Sequence, residues 1–293
     1  MNKWQKIVTF FIFLLIFPFL VFCEDRRINQ LKDIKESPLL RTALAKMLGK
    51  EKVKEASPVM IDILKNIKED CKLRIACANA LGEIGAKEAI PVYLEIIKNE
   101  SEEEDYDVRT ACANQLGNLV DKETLPELES LIRTIKDFRG DIINGIVDGI
   151  SKSKYKKDKD VLAILGLLIT HRKSEIRKKV INILTESNDK SALAFLMIAM
   201  EDKSPEVRKI AIQSVGKIGG KSAALAMIDA LEDEKKDDIR ELIADILNKV
   251  EIPPMKKVWI ETFEKRVEEE KNPQIKMKLK SALERVKKAQ LGK

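Results

Sequence analysis

Histidine is almost missing from this 293-residue chain; His171 is the only one. That excludes a multi-histidine metal site and leaves a histidine-based triad with one candidate base. Aromatic side chains make up only 5% of the chain, and six of the nine Phe lie in the first 22 residues beside Trp4. Seven aromatics remain after Cys23, too few to stack a run of bases. The net charge is +6, two units of which come from Lys3 and Lys6, a weak footprint for nucleic acid. No Gly-rich phosphate loop, zinc-ligand spacing or Gly-x-Ser-x-Gly element occurs, so the reading contains no catalytic residue, metal ligand or cofactor. Period-2 strand patterns are absent too. What the chain has is 35% charged and 44% hydrophobic residues, the balance of helical repeat arrays.

The amino-terminal segment reads as an address. Lys3 and Lys6 precede a stretch from Ile7 to Cys23 without charge, and Glu24-Asp25-Arg26-Arg27 opens a polar region. A basic start followed by a short apolar run is the pattern of a secretory signal. At 17 residues, with Pro18 inside, the run falls short of the roughly 20 needed to cross a bilayer. Leu20-Val21-Phe22-Cys23 resembles a bacterial lipobox, although Phe22 stands where a small residue is expected. Lipidation of Cys23, cleavage just after it and an uncleaved anchor all stay open. Each sends the rest of the chain out of the cytoplasm, to the periplasm or cell envelope. The expected layout is a signal over 1–23, a linker or cap over 24–36, and one repeat domain over 37–293.

That domain is marked by an aliphatic–basic pair: Leu40-Arg41, Leu73-Arg74, Val108-Arg109, Ile176-Arg177, Val207-Arg208, Ile239-Arg240 and Ile275-Lys276. The intervals are 33, 35, 68, 31, 32 and 36, and the long one is two units with a degenerate repeat near Gly140. About eight units of roughly 34 residues follow. Apolar residues at −1, +2 or +3, and +6 or +7 from the basic position make one face of a helix. Gly49, Gly82, Gly117 and Gly216 recur at +8, where glycine permits close packing or a helix stop. Ser37-Pro38, Ser204-Pro205 and Asn272-Pro273 place a capping side chain before a first-turn proline. Pro58, Pro91 and Pro126, each at +17, start or kink the second helix. Such pairs cannot bury their apolar faces alone, so units must stack. The expected fold is all-α, a right-handed α-solenoid of the ARM/HEAT type with about eight helix pairs, about 80 Å long at roughly 10 Å per packed helix.

Leu73-Arg74-Ile75-Ala76-Cys77-Ala78-Asn79-Ala80-Leu81-Gly82-Glu83-Ile84-Gly85 resembles the HEAT repeat of the phycobilisome-lyase-like type, and Val207 through Gly219 is similar. The resemblance spans 37–293 and implies an interaction scaffold, a lyase or a hydroxylase. Hydroxylases of this kind bind iron through His-Glu pairs, and Arg172 follows the lone His171. A lyase-type tetrapyrrole site would need an aromatic cluster. The function expected is therefore a non-catalytic protein-binding scaffold of the cell envelope, monomeric, without nucleic acid. The alternative is a lyase-like or chaperone-like protein holding a small cofactor between repeats. Gly140, Gly145 and Gly149, where glycines replace bulkier residues, would form its pocket.

In HEAT repeats the arginine-bearing helix usually lines the concave side. The partner-binding candidates are thus Arg74, Asn79, Arg109, Asn114, Arg177, Asn182, Arg208, Gln213 and Arg240, with Lys46 and Asp245 at the same +5 offset as the amides. The opposing reading, that each arginine fixes repeat stacking, is favoured by their periodicity. An acidic run from Glu100 to Asp107 and a basic run from Lys152 to Lys159 read as solvated loops. Cys77 and Cys112, both at +3, fall on equivalent turns about 9–10 Å apart and read as core; Cys71 is the candidate reactive thiol. His171 reads as a solvent-facing turn residue.

Overall fold

The computed structural model describes residues 26–99, 106–137, 139–250 and 255–291. The segment read as an export signal, with Cys23, and residues 100–105 of the acidic run lie outside them. Every regular element among the described residues is a helix or a helical turn. None of these helices is long and apolar enough to cross a membrane. The chain divides after Ser153 into two compact units.

In the first unit a helical segment over 26–32 precedes α1 (Pro38–Lys50), α2 (Ser57–Lys65), α3 (Cys71–Ile84), α4 (Ile90–Lys98), α5 (Tyr106–Leu119), α6 (Leu125–Thr134) and α7 (Asp141–Lys152). The second contains α8 (Lys159–Gly166), α9 (Ser174–Ser187), α10 (Leu193–Ala199), α11 (Pro205–Ile218), α12 (Gly220–Asp233), α13 (Asp237–Lys249), α14 (Lys257–Glu269) and α15 (Pro273–Leu291). Odd-numbered helices, which carry the basic position of each repeat except in α7, stack side by side, α1 on α3, α3 on α5 and α5 on α7. The same holds for α9, α11, α13 and α15, while the even-numbered helices pack alongside. Two helices alternate along the chain, so the fold is a HEAT-type, solenoid-like array.

The helix signals act locally. Ser37 Oγ accepts from Leu40 N at 3.2 Å and Asn272 Oδ1 from Gln274 N at 3.0 Å, closing the first turns before Pro38 and Pro273. Ser204 departs from that expectation. Its side chain makes no cap bond, and its own N–H donates to Asp202 Oδ1 at 2.8 Å, because the loop is built around that carboxylate. Pro58, Pro91 and Pro126 sit in the first turns of α2, α4 and α6, so they start those helices and do not kink them. Gly85, with φ at 80°, ends α3 in the left-handed conformation that lets Gly85 N and Ala86 N both return to Leu81 O.

An odd helix is enclosed on several sides. In α3, Leu73, Cys77, Ala78 and Leu81 are fully buried and Ala76 and Ala80 nearly so. Small residues let the odd helices approach closely. A Cβ at Gly49 would lie 2.6 Å from Ala80 Cα, and one at Gly117 2.2 Å from Ile146 O. The +8 glycines therefore serve packing; the helix stops are made elsewhere. Cys77 and Cys112 are both buried and not disulfide-bonded, as expected for core residues.

Candidate interaction surface

Each arginine of the ladder is taken up inside its own array. In the first unit, Arg41 Nε donates to Leu31 O at 2.8 Å, Arg74 Nε to Leu64 O at 3.1 Å and Arg109 Nη2 to Ile97 O at 2.8 Å. These carbonyls close the preceding helical segment over 26–32, α2 and α4, where no intrahelical donor remains and the helix dipole is negative. Arg41 also holds Glu69 through two bonds, at 2.7 and 2.9 Å. Arg74 and Arg109 are 2% and 7% exposed.

The second unit solves the same problem with carboxylates. Arg177 grips Asp202, Arg208 grips Glu234 and Arg240 grips Glu270, each through Nε and Nη2. Their Nη1 atoms donate to His171 O, Asp202 O and Glu234 O. Asp202 and Glu234 thus each accept from one arginine through the carboxylate and from the next through the main-chain carbonyl. Bidentate, charge-assisted bonds of this kind are short and directional. Burial alone would raise the Glu234 and Glu270 carboxyls, but bonds from Arg208 and Arg240 and from the loop amides outweigh it and hold both below the usual range. Arg208 and Arg240 are raised, first by those same bonds. The sequence reading missed Glu69, Asp202, Glu234 and Glu270. Their offsets of 25 to 30 residues after each arginine were the available signal.

The +5 row is placed differently in the two units. In the first, Asn79 and Asn114 are half-buried and joined through Gln115, whose Nε2 donates to Asn79 Oδ1 at 2.8 Å and Asn114 Oδ1 at 3.3 Å. Asn114 Nδ2 reaches Gly145 O at 3.4 Å. In the second, Asn182 and Gln213 are exposed, and Asp245 accepts from Lys278 Nζ at 2.8 Å. Lys178 lies near Asn182, held between Glu175 and Glu206, whose bonds raise its pKa. Only the amides of Asn182 and Gln213 are therefore exposed, bordered by charges of both signs, while those of Asn79 and Asn114 are partly spent between helices.

Two of the three glycines in the repeat near Gly140, Gly145 and Gly149, leave no open space beside them. A Cβ at Gly149 would stand 2.0 Å from Asn114 O, and one at Gly145 would stand 3.0 Å from Thr110 O. The space left by the missing side chains is filled by the backbone of α5, which corrects the pocket expectation. A separate cleft of about 180 Å³ in the first unit is lined by Lys65, Ile67, Arg74, Glu95, Ile96, Asn99 and Arg109. Small-molecule sites are typically about 300–1,000 Å³. His171 is half-buried in the turn before α9; its Nδ1 accepts from Lys173 N at 3.2 Å.

Residues 24–104, 57–144 and 161–248 match the family model described as HEAT repeats, which together make up more than half of the chain. The chain belongs to the HEAT repeat family. Solved structures similar to this HEAT protein include the complex of CpcE and CpcF of phycocyanin lyase from Nostoc, at 17% identity over 90% of this chain and 94% of that one, TM-score 0.44. Human deoxyhypusine hydroxylase in complex with glycerol is similar at 17% identity over 73% and 80%, TM-score 0.36. An engineered protein matches at 16% over 91% and 97%, TM-score 0.29. No curated protein matches the chain.

Proposed function

We propose that this HEAT protein is a non-catalytic scaffold of the cell envelope that binds a protein partner along the outward faces of its arginine-bearing helices. The observation that carries the reading is the division of labour at those helices. The guanidiniums of Arg74, Arg109, Arg177, Arg208 and Arg240 are engaged with the array's own carbonyls and carboxylates, while Asn182 and Gln213 present exposed amides and Asn79 and Asn114 lie half-buried among Gln115 and Gly145 O. Side-chain amides donate and accept at once, so a row of them suits the backbone and polar side chains of a partner. The arginines act on this surface by fixing the spacing of the helices that carry it.

Export through 1–23 and membrane attachment through Cys23 belong to the same proposal. The mass and amino-terminal sequence of the mature chain test them: an acylated Cys23, a new terminus just after it, or the intact start. A cytoplasmic, unprocessed chain would remove the envelope from the reading. The binding surface is tested by crosslinking and affinity capture in cells with the native chain, Asn182→Ala, and an Asn182→Glu/Gln213→Glu double variant. The expected result is a partner that survives the single change and is lost with the double one. A single exposed substitution that destroyed function in a folded protein would sink the scaffold reading.

A further inference from the structure

Lysines gather where three even helices of the second unit begin. Over 154–160, 186–190 and 217–221, the approaches and first turns of α8, α10 and α12, seven lysines stand against four acids. The corresponding stretches before α2, α4 and α6 in the first unit, 50–55, 83–88 and 118–123, hold five lysines and six acids. The repeat itself therefore does not call for these cations. Neither do the helices: Lys159 and Lys221 lie in the first turns of α8 and α12 and Lys190 just before α10, where the helix dipole disfavours positive charge. Three of the four acids are already engaged. Asp158 Oδ1 accepts from Asp160 N at 3.0 Å, Asp189 Oδ1 from Ser191 N at 2.8 Å, and Glu186 pairs with Lys156 at 3.4 Å. Lys154, Lys157, Lys159, Lys190, Lys217 and Lys221 are exposed. Because α8 packs against the turn at 190–192 and α10 against α12, the three lysine groups share one edge of the unit.

Beside that edge, α8 and α10 carry no charge. From Val161 to Thr170 and from Ser191 to Met200 every residue is uncharged, in a chain that is 35% charged. Their solvent-facing side chains include Ala163, Ala194 and Ile198, the last 51% exposed. The first unit keeps charges at such positions, Asp62 and Lys65 in α2 and Glu95 and Lys98 in α4, all exposed. A row of cations bordering an uncharged, partly apolar surface is the composition of a face that lies on lipid headgroups. An acidic protein would use the lysines and leave the uncharged helices without a purpose. We propose that this edge of the second unit, from α8 across α10 to the start of α12, rests on an anionic lipid surface. The lysines then lie among the headgroup phosphates, and Ile198 reaches the boundary of the acyl chains. The contact is mainly electrostatic, so it weakens with salt, and it does not depend on what becomes of residues 1–23.

The test uses the full chain with Cys23→Ser, Cys71→Ser and Ile198→Cys, labelled at the new thiol with an environment-sensitive nitrobenzoxadiazole dye. The emission shifts to the blue with vesicles of phosphatidylglycerol and phosphatidylcholine, and not with phosphatidylcholine alone. A dye at Asp62→Cys, on the outward side of α2, keeps its aqueous emission with both. Lys157→Glu, Lys190→Glu and Lys221→Glu together cut the shift several-fold in protein whose circular dichroism is native, and raised salt does the same. An unshifted dye at position 198 on the anionic vesicles overturns the proposal, whether or not residues 1–23 hold the chain on them. So does a shift that is equal on phosphatidylcholine or indifferent to the three lysines. A shift produced as strongly by polyglutamate in solution gives the edge to an acidic protein and also overturns it.

Discussion

A buried guanidinium destabilises a fold unless its charge and its N–H groups are met, and Arg41, Arg177, Arg208 and Arg240 are each met by a carboxylate. Arg208 and Glu234 show what depends on it, since the Glu234 side chain is only 4% exposed. Arg208→Leu leaves that carboxylate buried without its partner, and breaking such a pair costs about 3–5 kcal/mol. Asn182→Ala and Gln213→Ala, on the outward row, are expected to change stability by no more than about 0.5 kcal/mol. Urea unfolding of the three variants measures the contrast; similar losses would mean that the amides are structural too. The same pairs set a pH dependence. The Glu234 and Glu270 carboxyls lie below their ordinary 4.5 in the folded chain, so unfolding takes up protons as the medium is acidified. Their stabilisation is complete above that ordinary value and disappears as pH falls through the lower folded values. The melting temperature should therefore hold steady from pH 7 to about 5.5 and drop below about 4.5. Glu234→Gln should lower it at pH 7 and flatten the acid limb, and an unchanged acid limb would remove Glu234 from the account. Among the thiols, burial pushes Cys77 up to about 12, whereas Cys71 is half-buried at the start of α3. Iodoacetamide at pH 8 should modify Cys71 in the folded chain and Cys77 only after denaturation, as peptide mass mapping would show.

Helices of this array are positioned by what their neighbours leave out. Gly149 in α7 lies against the backbone of α5 at Asn114, where an added methyl would stand 2.0 Å from a carbonyl oxygen that cannot move away. Alanine is the better helix former by about 1 kcal/mol. Overpacking a tight contact costs about 1–3 kcal/mol, and here the contact is with backbone. Gly149→Ala should therefore destabilise the chain despite its propensity, and Gly145→Ala, at 3.0 Å from Thr110 O, should do so less. Chemical unfolding decides; a stabilised Gly149→Ala would mean that α5 and α7 are not so closely opposed. The second helix of a pair was readable in the sequence at Pro58, Pro91 and Pro126, because proline acts locally and needs no neighbour, and the structure resolves start or kink in favour of a start. Glycine at +8 was readable as a position but ambiguous in purpose. Whether it ends a helix or admits another depends on a partner some 30 residues away. Ser204 was misread for the same reason: Asp202, the partner of Arg177, takes the N–H of Ser204 and organises the loop.

Across the whole molecule, the repeat was legible because an arginine marks six of its units, while the surface was not. Arg74 and Asn79 are equally periodic and both are spent inside the array, on Leu64 O and on Gln115 Nε2, whereas Asn182 and Gln213 at the same +5 offset are exposed. Periodicity reports that a position is constrained and is silent on whether the constraint is internal. A repeat array also fails in a particular way, since each unit is stabilised by its neighbours and not by a common core. Leu81 in α3 is fully buried. A charge there has no partner and costs several kcal/mol by desolvation. Leu81→Asp should therefore melt α3 together with α1, α2 and α5, which pack against it, and α4, whose Tyr93 hydroxyl donates to Ala78 O. Far-ultraviolet circular dichroism should record a loss well beyond the 14 residues of α3, whereas Lys72→Asp, exposed on the same helix, should leave the spectrum and its melt unchanged. A loss confined to one helix, or a native melt, would mean that the stacking of odd helices is not what holds this unit together.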